Sequence, residues 1–560
     1  MRLGVVLALA MAVAAGCKKK VEDDPGAAAA GGASAGGGGP GLELRIAYGS
    51  EKKTWLEEQI KAFLATSPKT ADRKPIRVVA TAMGSGEAVT GILGGQLKPH
   101  VFSPASGAYV TVLNDAWMST GGHTKAIAPA GEPLVLSPIV IAMWKPMAEA
   151  LGWPGKALGW NDILAVAQNP KGWGAYGRPE WGLFKLGHTH PEHSNSGLLA
   201  VLAEAYAGAG KTRGLTAADL AAAPTRSFLA KVEDTIVHYG KSTGFFADKM
   251  IERGPSYVSA AALYENLVIE SYGKQTELPL VAIYPVEGTF WSDHPYSVLD
   301  ADWVGPDEKA AAQALLAFLK ARPAQERALA LGFRPADPAI KIAAPIDAAH
   351  GVDPTQPQTL LEVPDAPTLQ ALLAAWKATK KASDIVLVFD KSGSMAGEPL
   401  TEAKKAAKAF LHVLDPRDHV TLLFFDTQVY PPVGPKEVGT SIAELESRID
   451  GVTADGGTAL YDAVVAAHDT IKQAVKASPH RIHALVVMTD GKDEDSKLSL
   501  ANVEQRIVHE SGNIRLFTIA YGQKAEATVL KSIAERAGGM HASGDVDAIL
   551  GIYRDMAALF

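Results

Sequence analysis

Asp384–Met395 reads DIVLVFDKSGSM, five consecutive apolar residues that run into an aspartate and a loop of small hydroxyl residues. A continuous apolar run rich in β-branched residues is the signature of a strand buried on both faces of a parallel sheet. In an open α/β sheet, ligands collect beyond the carboxyl ends of the strands. Asp390 is therefore where a site should begin. Ser392 and Ser394 alternate along the loop that follows, and ligands of oxygen alone suit a hard cation such as Mg²⁺. Taken by itself the D-x-S-x-S pattern could equally be a turn, or a cap for the helix that starts near Pro399.

Two further loops add weight. Ala454–Val464, ADGGTALYDAV, places Thr458 after a Gly-Gly turn and before a helical pattern, and His483–Glu494, HALVVMTDGKDE, places Asp490 at the end of another apolar strand. Between and around them the sequence predicts helices over Pro399–Leu414, Ser441–Ile449, Ala459–Val475 and Thr528–Arg536, and strands over HVTLLFFD (419–426) and IRLFTIAYG (514–522). Strands alternating with helices predict a doubly wound, Rossmann-like sheet of about 180 residues, an ordinary domain size.

These motifs resemble the von Willebrand factor A-type domains of integrins and many bacterial proteins, and residues 383–560 are expected to form one. The resemblance implies a metal-ion-dependent adhesion site, with Ser392 and Ser394 as direct hydroxyl ligands. It implies that Thr458 coordinates directly or through water, and that Asp390 and Asp490 form the acidic pair, often acting through water. Mg²⁺, or Mn²⁺ or Ca²⁺, is the implied cation, and a Glu or Asp from a partner protein would fill its solvent-facing position. A hydrolytic role needs a general base and an activated nucleophile beside the ion, and no such set stands out in the sequence. A binding protein, not an enzyme, is expected.

Upstream, a first globular block opens with the alternating strand LELRIAYGS (42–50), a helical pattern over Thr54–Thr66, a strand over Ile76–Ala82 and then MGSGEAVTGIL (83–93). This alternation predicts a further α/β domain with a largely parallel sheet. Two apolar runs, PLVLSPIVIAMW (133–144) and LPLVAIYP (278–285), bracket a Gly- and aromatic-rich segment and read as crossings between two lobes. Helical sequence resumes over Pro306–Arg322. Pro- and Asp-rich sequence from Pro345 to Pro367 marks a boundary, and a helical stretch over Leu369–Lys380 leads into the second block. Residues 42–345 are read as one two-lobed domain and 346–382 as its linker.

Segment order and the phrases GSGEAVTGIL, SPIVIAMWKP, HPEHSNSGLL and LVAIYPVEGTF resemble the type II periplasmic solute-binding proteins. That resemblance implies two α/β lobes closing on a small solute, and an alternative role as the receptor of an ABC-type uptake system, for instance for an anion. Candidate ligand residues are Ser50, Ser85, Ser106, Ser194, Asn195, Ser196 and Tyr284. Ser85 lies between a strand and a helix, where backbone N–H groups can meet an anion, or where it simply caps the helix. In HTHPEHSNSG (188–197) the three histidines His188, His190 and His193 invite a zinc reading, against which stand the constraint of Pro191 and the lack of a matched carboxylate motif.

The first twenty residues, MRLGVVLALAMAVAAGCKKK, carry one early positive charge, an apolar stretch too short to span a bilayer and a small-residue end. They resemble a bacterial lipoprotein signal over residues 1–17, with Cys17 as the lipidated residue; Ala14 departs from the usual pattern, and an ordinary cleavage site stays open. Cys17 is the only cysteine in 560 residues, so no intrachain disulfide can form. Residues 18–41, mostly Ala, Gly and Pro, read as a flexible tether. Lys18 follows the cysteine, which favours the outer membrane or cell surface. The formal charge of −7 gives no reason to expect a nucleic-acid partner, and 47% hydrophobic with 21% charged residues is the balance of a globular chain.

Overall fold

The computed structural model describes residues 41–274, 278–510, 514–522, 525–537, 539–544 and 549–557. Cys17, the signal segment and the tether up to residue 40 lie outside them. The chain forms two compact units, one running to Leu136 and resuming over Ser292–Ala344, the other made of Ser137–Trp291 and everything from Pro345 onward.

The first unit is built on a five-stranded sheet in the order Ile76–Met83, Leu42–Gly49, Val101–Ser103, Pro295–Val298, Glu132–Pro133. The first three strands are parallel, and Pro295–Val298 runs antiparallel to Val101–Ser103. Leu44, Ile46 and Tyr48 alternate onto one face and pack with Trp55, Ile60 and Phe63 of the helix Lys53–Ala65 and with Leu315 and Leu319 of Pro306–Lys320. Trp55 is wholly buried and its indole N–H donates to Ala324 O at 3.0 Å, so the largest apolar surface of this core carries no unsatisfied donor.

In the second unit the sheet is mixed rather than largely parallel. Val135–Trp144, which passes from one unit into the other after Leu136, runs antiparallel to both Ala260–Tyr264 and Leu280–Ile283, while Leu186–Thr189 is parallel to Ile236–Gly240 and Ala260–Tyr264. The second apolar run is thus not a crossing. Its strand Leu280–Ile283 stays within the unit, in register with Ile141–Trp144, and the chain changes unit only at Trp291–Ser292. A strand flanking a central partner is buried on both faces, so it reads the same in sequence as a crossing strand.

The segment leading to the C-terminal domain laces onto this second lobe. Ala282 N donates to Gly351 O at 2.8 Å and Tyr206 Oη to Glu362 O at 2.8 Å. The helix Ala366–Thr379, capped by Asp365 Oδ1 accepting from Thr368 N, then packs on Asn195–Ala209, Ala217–Ala221 and Ala223–Glu233. Its Trp376 is fully buried, edge-on to His190 and Tyr239.

The C-terminal domain is a six-stranded sheet in the order Val433–Glu437, His419–Phe425, Ser383–Asp390, Ile482–Thr489, Ile514–Tyr521, His541–Gly544. All neighbours are parallel except Val433–Glu437. Numbered along the chain the order is 3-2-1-4-5-6, so the winding reverses between Ser383–Asp390 and Ile482–Thr489. Val386 and Val388, with Leu485 and Val487, enter a core shared with the helices Leu460–Ala477, Leu500–Glu510 and Ala527–Arg536. On the other side Glu398–Val413 packs against Ile549–Ala557, with Phe410 and Tyr553 rings 5.4 Å apart.

Candidate metal centre

Where two parallel strands send their helices to opposite faces, their carboxyl ends leave a crevice. Asp390 closes one of the two strands at that point and Asp490 follows the other. Asp390 is fully buried. Its Oδ2 accepts from Thr489 Oγ1 at 2.5 Å, its Oδ1 from Ser392 N at 2.8 Å, and among the described residues it forms no ion pair with a Lys, Arg or His. Burial pushes its carboxyl up to about 6 against the pull of these hydrogen bonds. Ser392 Oγ lies 3.0 Å from Ser394 Oγ, and Ser394 Oγ donates to Asp490 Oδ1 at 2.6 Å.

Thr458 arrives on a third loop. A Cβ added at Gly491 would stand 3.1 Å from Thr458 Oγ1 and 3.7 Å from Ser394 Oγ, so both hydroxyls border the same small space. The structure thus brings all five expected residues to one place.

Residues that the sequence did not single out hold the loops there. Gly393 N donates to Gly456 O at 2.8 Å and Asp455 N to Lys391 O at 2.9 Å, tying the first loop to the second. Gly456 sits at φ 73, a left-handed conformation that suits glycine. Lys391 pairs with Asp426 and lies 4.8 Å from the Tyr430 ring centre. From the third loop, Asp495 Oδ2 accepts from Thr458 N at 2.9 Å and Asp493 Oδ1 from Tyr461 N at 3.0 Å, placing carboxylates at the start of the helix Leu460–Ala477. Asp462 Oδ1 returns the contact to Leu498 N at 3.0 Å.

The donor set fits a hard divalent cation. It consists of hydroxyl and carboxylate oxygens only, one of its carboxylates, Asp390, is fully buried with no Lys, Arg or His ion pair among the described residues, and the missing side chain at Gly491 keeps the adjoining space open. Asp390, Ser392, Ser394, Thr458 and Asp490 are the residues that could hold it.

The expected solute residues fall into two groups, one in each unit. In the first, Ser50 follows the strand Leu42–Gly49, and Ser85 Oγ accepts from Ala105 N at 3.1 Å, which draws its loop to the one carrying Ser106. Ser85 is not the helix cap: Gly84 holds that position, and Glu87 Oε2 accepts from Gly84 N at 3.2 Å, leaving the serine hydroxyl for the neighbouring loop. Ser106 stands at the N-cap position of the helix Gly107–Gly121 without a side-chain capping bond, and the first N–H of that helix is taken by Asp293 Oδ1 at 2.9 Å.

Beneath these serines lies a charged cluster that the sequence did not reveal. Lys52 Nζ is 3.1 Å from Glu51 Oε1 and donates to Pro104 O at 3.2 Å, and His294 Nδ1 is 3.1 Å from the same Glu51 oxygen, all three residues being buried. Burial works to raise the Glu51 carboxyl, but Lys52 and His294 prevail and hold it at about 2. The one available signal was Glu51-Lys52 at the carboxyl end of a strand; His294 is distant in sequence.

In the second unit the helix Asn195–Ala209 follows Ser194, which stands at its N-cap position. Ser196 Oγ lies 2.8 Å from both Thr189 Oγ1 and Thr243 Oγ1, and Ser194 Oγ 3.1 Å from Thr243 Oγ1. Asn195 Nδ2 donates to Tyr264 Oη at 2.8 Å, Tyr284 Oη to Glu265, and Ser137 Oγ to Asn266 Oδ1 at 3.0 Å. Buried Tyr264 and Glu265 are thus partners of the expected Asn195 and Tyr284. The three histidines do not form a zinc site: His188 pairs with Glu233 at 3.2 Å while His190 packs on Trp376, and among the described residues no three His, Cys, Asp or Glu side chains are grouped to hold a metal.

The profile described as "Bacterial extracellular solute-binding protein" matches residues 44–334, more than half of the chain. The chain belongs to this family. A second profile, "von Willebrand factor type A domain", matches residues 384–551. The solute-binding protein is therefore joined to an A-type domain, and the candidate cation residues all lie in the latter. Inter-alpha-trypsin inhibitor heavy chain H4 of Homo sapiens is 26% identical over 169 residues, 29% of this chain and 18% of that protein. The uncharacterized protein sll0103 of Synechocystis sp. is 28% identical over 160 residues, 28% of this chain and 36% of that one. The chain thus spans about a fifth to a third of the length of these relatives. A solved periplasmic thiamin binding protein is 14% identical with a TM-score of 0.43, covering 62% of this chain and 99% of that one. Both matched families are binding and interaction modules, and the family of the longer match works outside the cytoplasm. Among the described residues no helix is long and apolar enough to cross a membrane.

Proposed function

We propose that this solute-binding protein is an extracytoplasmic binding protein, anchored to a bacterial membrane through Cys17, that docks a protein partner through a divalent cation in its A-type domain. The observation that carries the reading is the convergence of Ser392, Ser394 and Asp490 in one hydrogen-bonded row beside buried Asp390. Ser392, Ser394 and Thr458 would hold Mg²⁺ (or Mn²⁺ or Ca²⁺) by their hydroxyls, and Asp390 and Asp490 would balance its charge. Such an ion accepts a carboxylate oxygen, so the partner presents a Glu or Asp. Thr489 and the Ser392 N–H keep Asp390 oriented, and Asp495 holds the Thr458 loop in place.

The test is capture of a partner from solubilised envelope by the full chain in Mg²⁺, in EDTA and with Asp390→Ala. Capture that needs Mg²⁺ and is lost in the folded variant supports docking; capture indifferent to both removes it.

A second reading, a receptor for a small solute, is supported by the family match over residues 44–334. We infer that its solute is neutral or cationic at the Ser106 end, because Asp293 occupies the helix N-terminus where an anion would dock. Thermal shifts of the full chain with matched neutral, cationic and anionic solute panels test this. A specific shift with an anion alone would contradict it.

A further inference from the structure

Within the second unit, the solute-binding lobe and the A-type domain meet along a narrow recess, open to solvent, that neither matched family assigns a role. Its walls are aromatic, with Tyr239, Phe245, Phe246 and Tyr257 from the lobe and Phe517 from the A-type sheet. Its charged members are all cationic: Lys249, Arg253 and Arg515.

Arg515 stands on the strand Ile514–Tyr521 and is only 8% exposed. A guanidinium keeps its charge in any protein environment and brings five donors, so its burial calls for acceptors. Among the described residues the Arg515 guanidinium has neither an ion pair nor a hydrogen bond; its contact is the Tyr257 ring, with Cζ 5.4 Å from the centroid. From the lobe, Arg253, the last residue of the helix Thr243–Arg253, approaches the same ring at 5.6 Å. One Arg253 nitrogen donates to Gly539 O at 3.1 Å, and no carboxylate among the described residues pairs with it. Glu252, the adjacent acid in sequence, is engaged by Lys249 at 2.7 Å. Lys185 adds to the excess of positive charge: burial lowers its ammonium and the Arg515 charge lowers it further.

Two guanidiniums on one aromatic ring repel each other, and the ring quadrupole offsets that only in part. Planar forks with free N–H groups are matched by an oxyanion, which two arginines can bind in bidentate fashion. We propose that this recess is a small-oxyanion site, closed by Arg253 of the lobe and Arg515 of the A-type domain, whose occupant ties the two domains together. The site is independent of the cation loops and of the solute serines, and it stands whether or not either of those readings holds.

The experiment is calorimetric titration and thermal unfolding of the full chain in EDTA at fixed ionic strength, with inorganic phosphate, acetate and chloride as separate probes. Saturable phosphate binding with a rise in Tm of several degrees, weakened at least tenfold in both Arg515→Met and Arg253→Gln, is the expected result. Saturation by acetate instead would support the same site with a carboxylate as its source. Equal effects of chloride, or phosphate binding unchanged in Arg253→Gln, would overturn the proposal. Arg253→Gln lies at a helix end and keeps the test decisive should Arg515→Met not fold.

Discussion

Ser394 and Asp490, 96 positions apart in sequence, are joined by a 2.6 Å hydrogen bond from the serine hydroxyl to the carboxylate. The bond spans the point where the winding of the A-type sheet reverses, and it brings the first and third loops of the candidate cation site together. What surrounds it decides what substitutions there should do.

At Gly491 an added methyl would press on the Thr458 hydroxyl at 3.1 Å without meeting backbone. Gly491→Ala should leave the unfolding midpoint nearly unchanged and weaken Mg²⁺ binding about tenfold, or ~1.4 kcal/mol. Urea denaturation checks the first quantity and calorimetric titration the second; unchanged affinity would show that Thr458 takes no part.

Gly457 differs, because a Cβ there would lie 1.9 Å from Asp495 Oδ2. Gly457→Ala must push that carboxylate off Thr458 N and leave a part-buried donor unsatisfied. A loss of about 1–3 kcal/mol is expected from urea unfolding, together with weaker Mg²⁺ binding. Stability equal to wild type would mean that the second loop does not depend on Asp495.

The strand ending at Asp390 is readable because its apolar run, terminal Asp and alternating serines are contiguous. The groups that hold the site are not readable in that way. Thr489, Asp493 and Asp495 act through single hydrogen bonds to loops dozens of residues away, a relation that no local pattern encodes. The edge strand Val433–Glu437 is hidden by Pro435, which lacks a ladder donor and normally argues against a strand. Glu51-Lys52 has the composition of a solvated turn, and only the fold, by bringing in His294, makes it a buried cluster. The position of the second change of unit was likewise unreadable, since burial on both faces gives one apolar signature to central and crossing strands.

That cluster has its own pH signature. The folded Glu51 carboxyl is held at about 2, below its ordinary range, so its contribution is present in full above about pH 4.5 and is lost as pH falls towards 2. Lys52→Met removes the ammonium 3.1 Å from buried Glu51 and should cost about 3–5 kcal/mol at pH 7. The loss should shrink below pH 4 when followed by urea unfolding across pH. A cost independent of pH would point to packing alone.

Glu204 is the opposite case. It is fully buried, neither carboxylate oxygen has a hydrogen-bond partner among the described residues, and burial followed by the Glu233 charge holds its pKa well above the usual carboxylate range. The folded state keeps this proton while the unfolded chain releases it, so stability is full below about pH 4.5 and falls as pH rises. Glu204→Met, similar in size and apolar, should raise stability by about 1–3 kcal/mol at pH 8 and by less at pH 5. Destabilisation at pH 8 would show that the carboxyl has a partner in solution.

The central claim is that Asp390, Ser392, Ser394, Thr458 and Asp490 act as one cation site. Calorimetric titration of Mg²⁺ into the full chain, beside Asp390→Ala verified as folded by circular dichroism, tests it most directly. The account predicts one saturable Mg²⁺ site in the wild type and none in the variant; equal Mg²⁺ binding by both, or by neither, would contradict it.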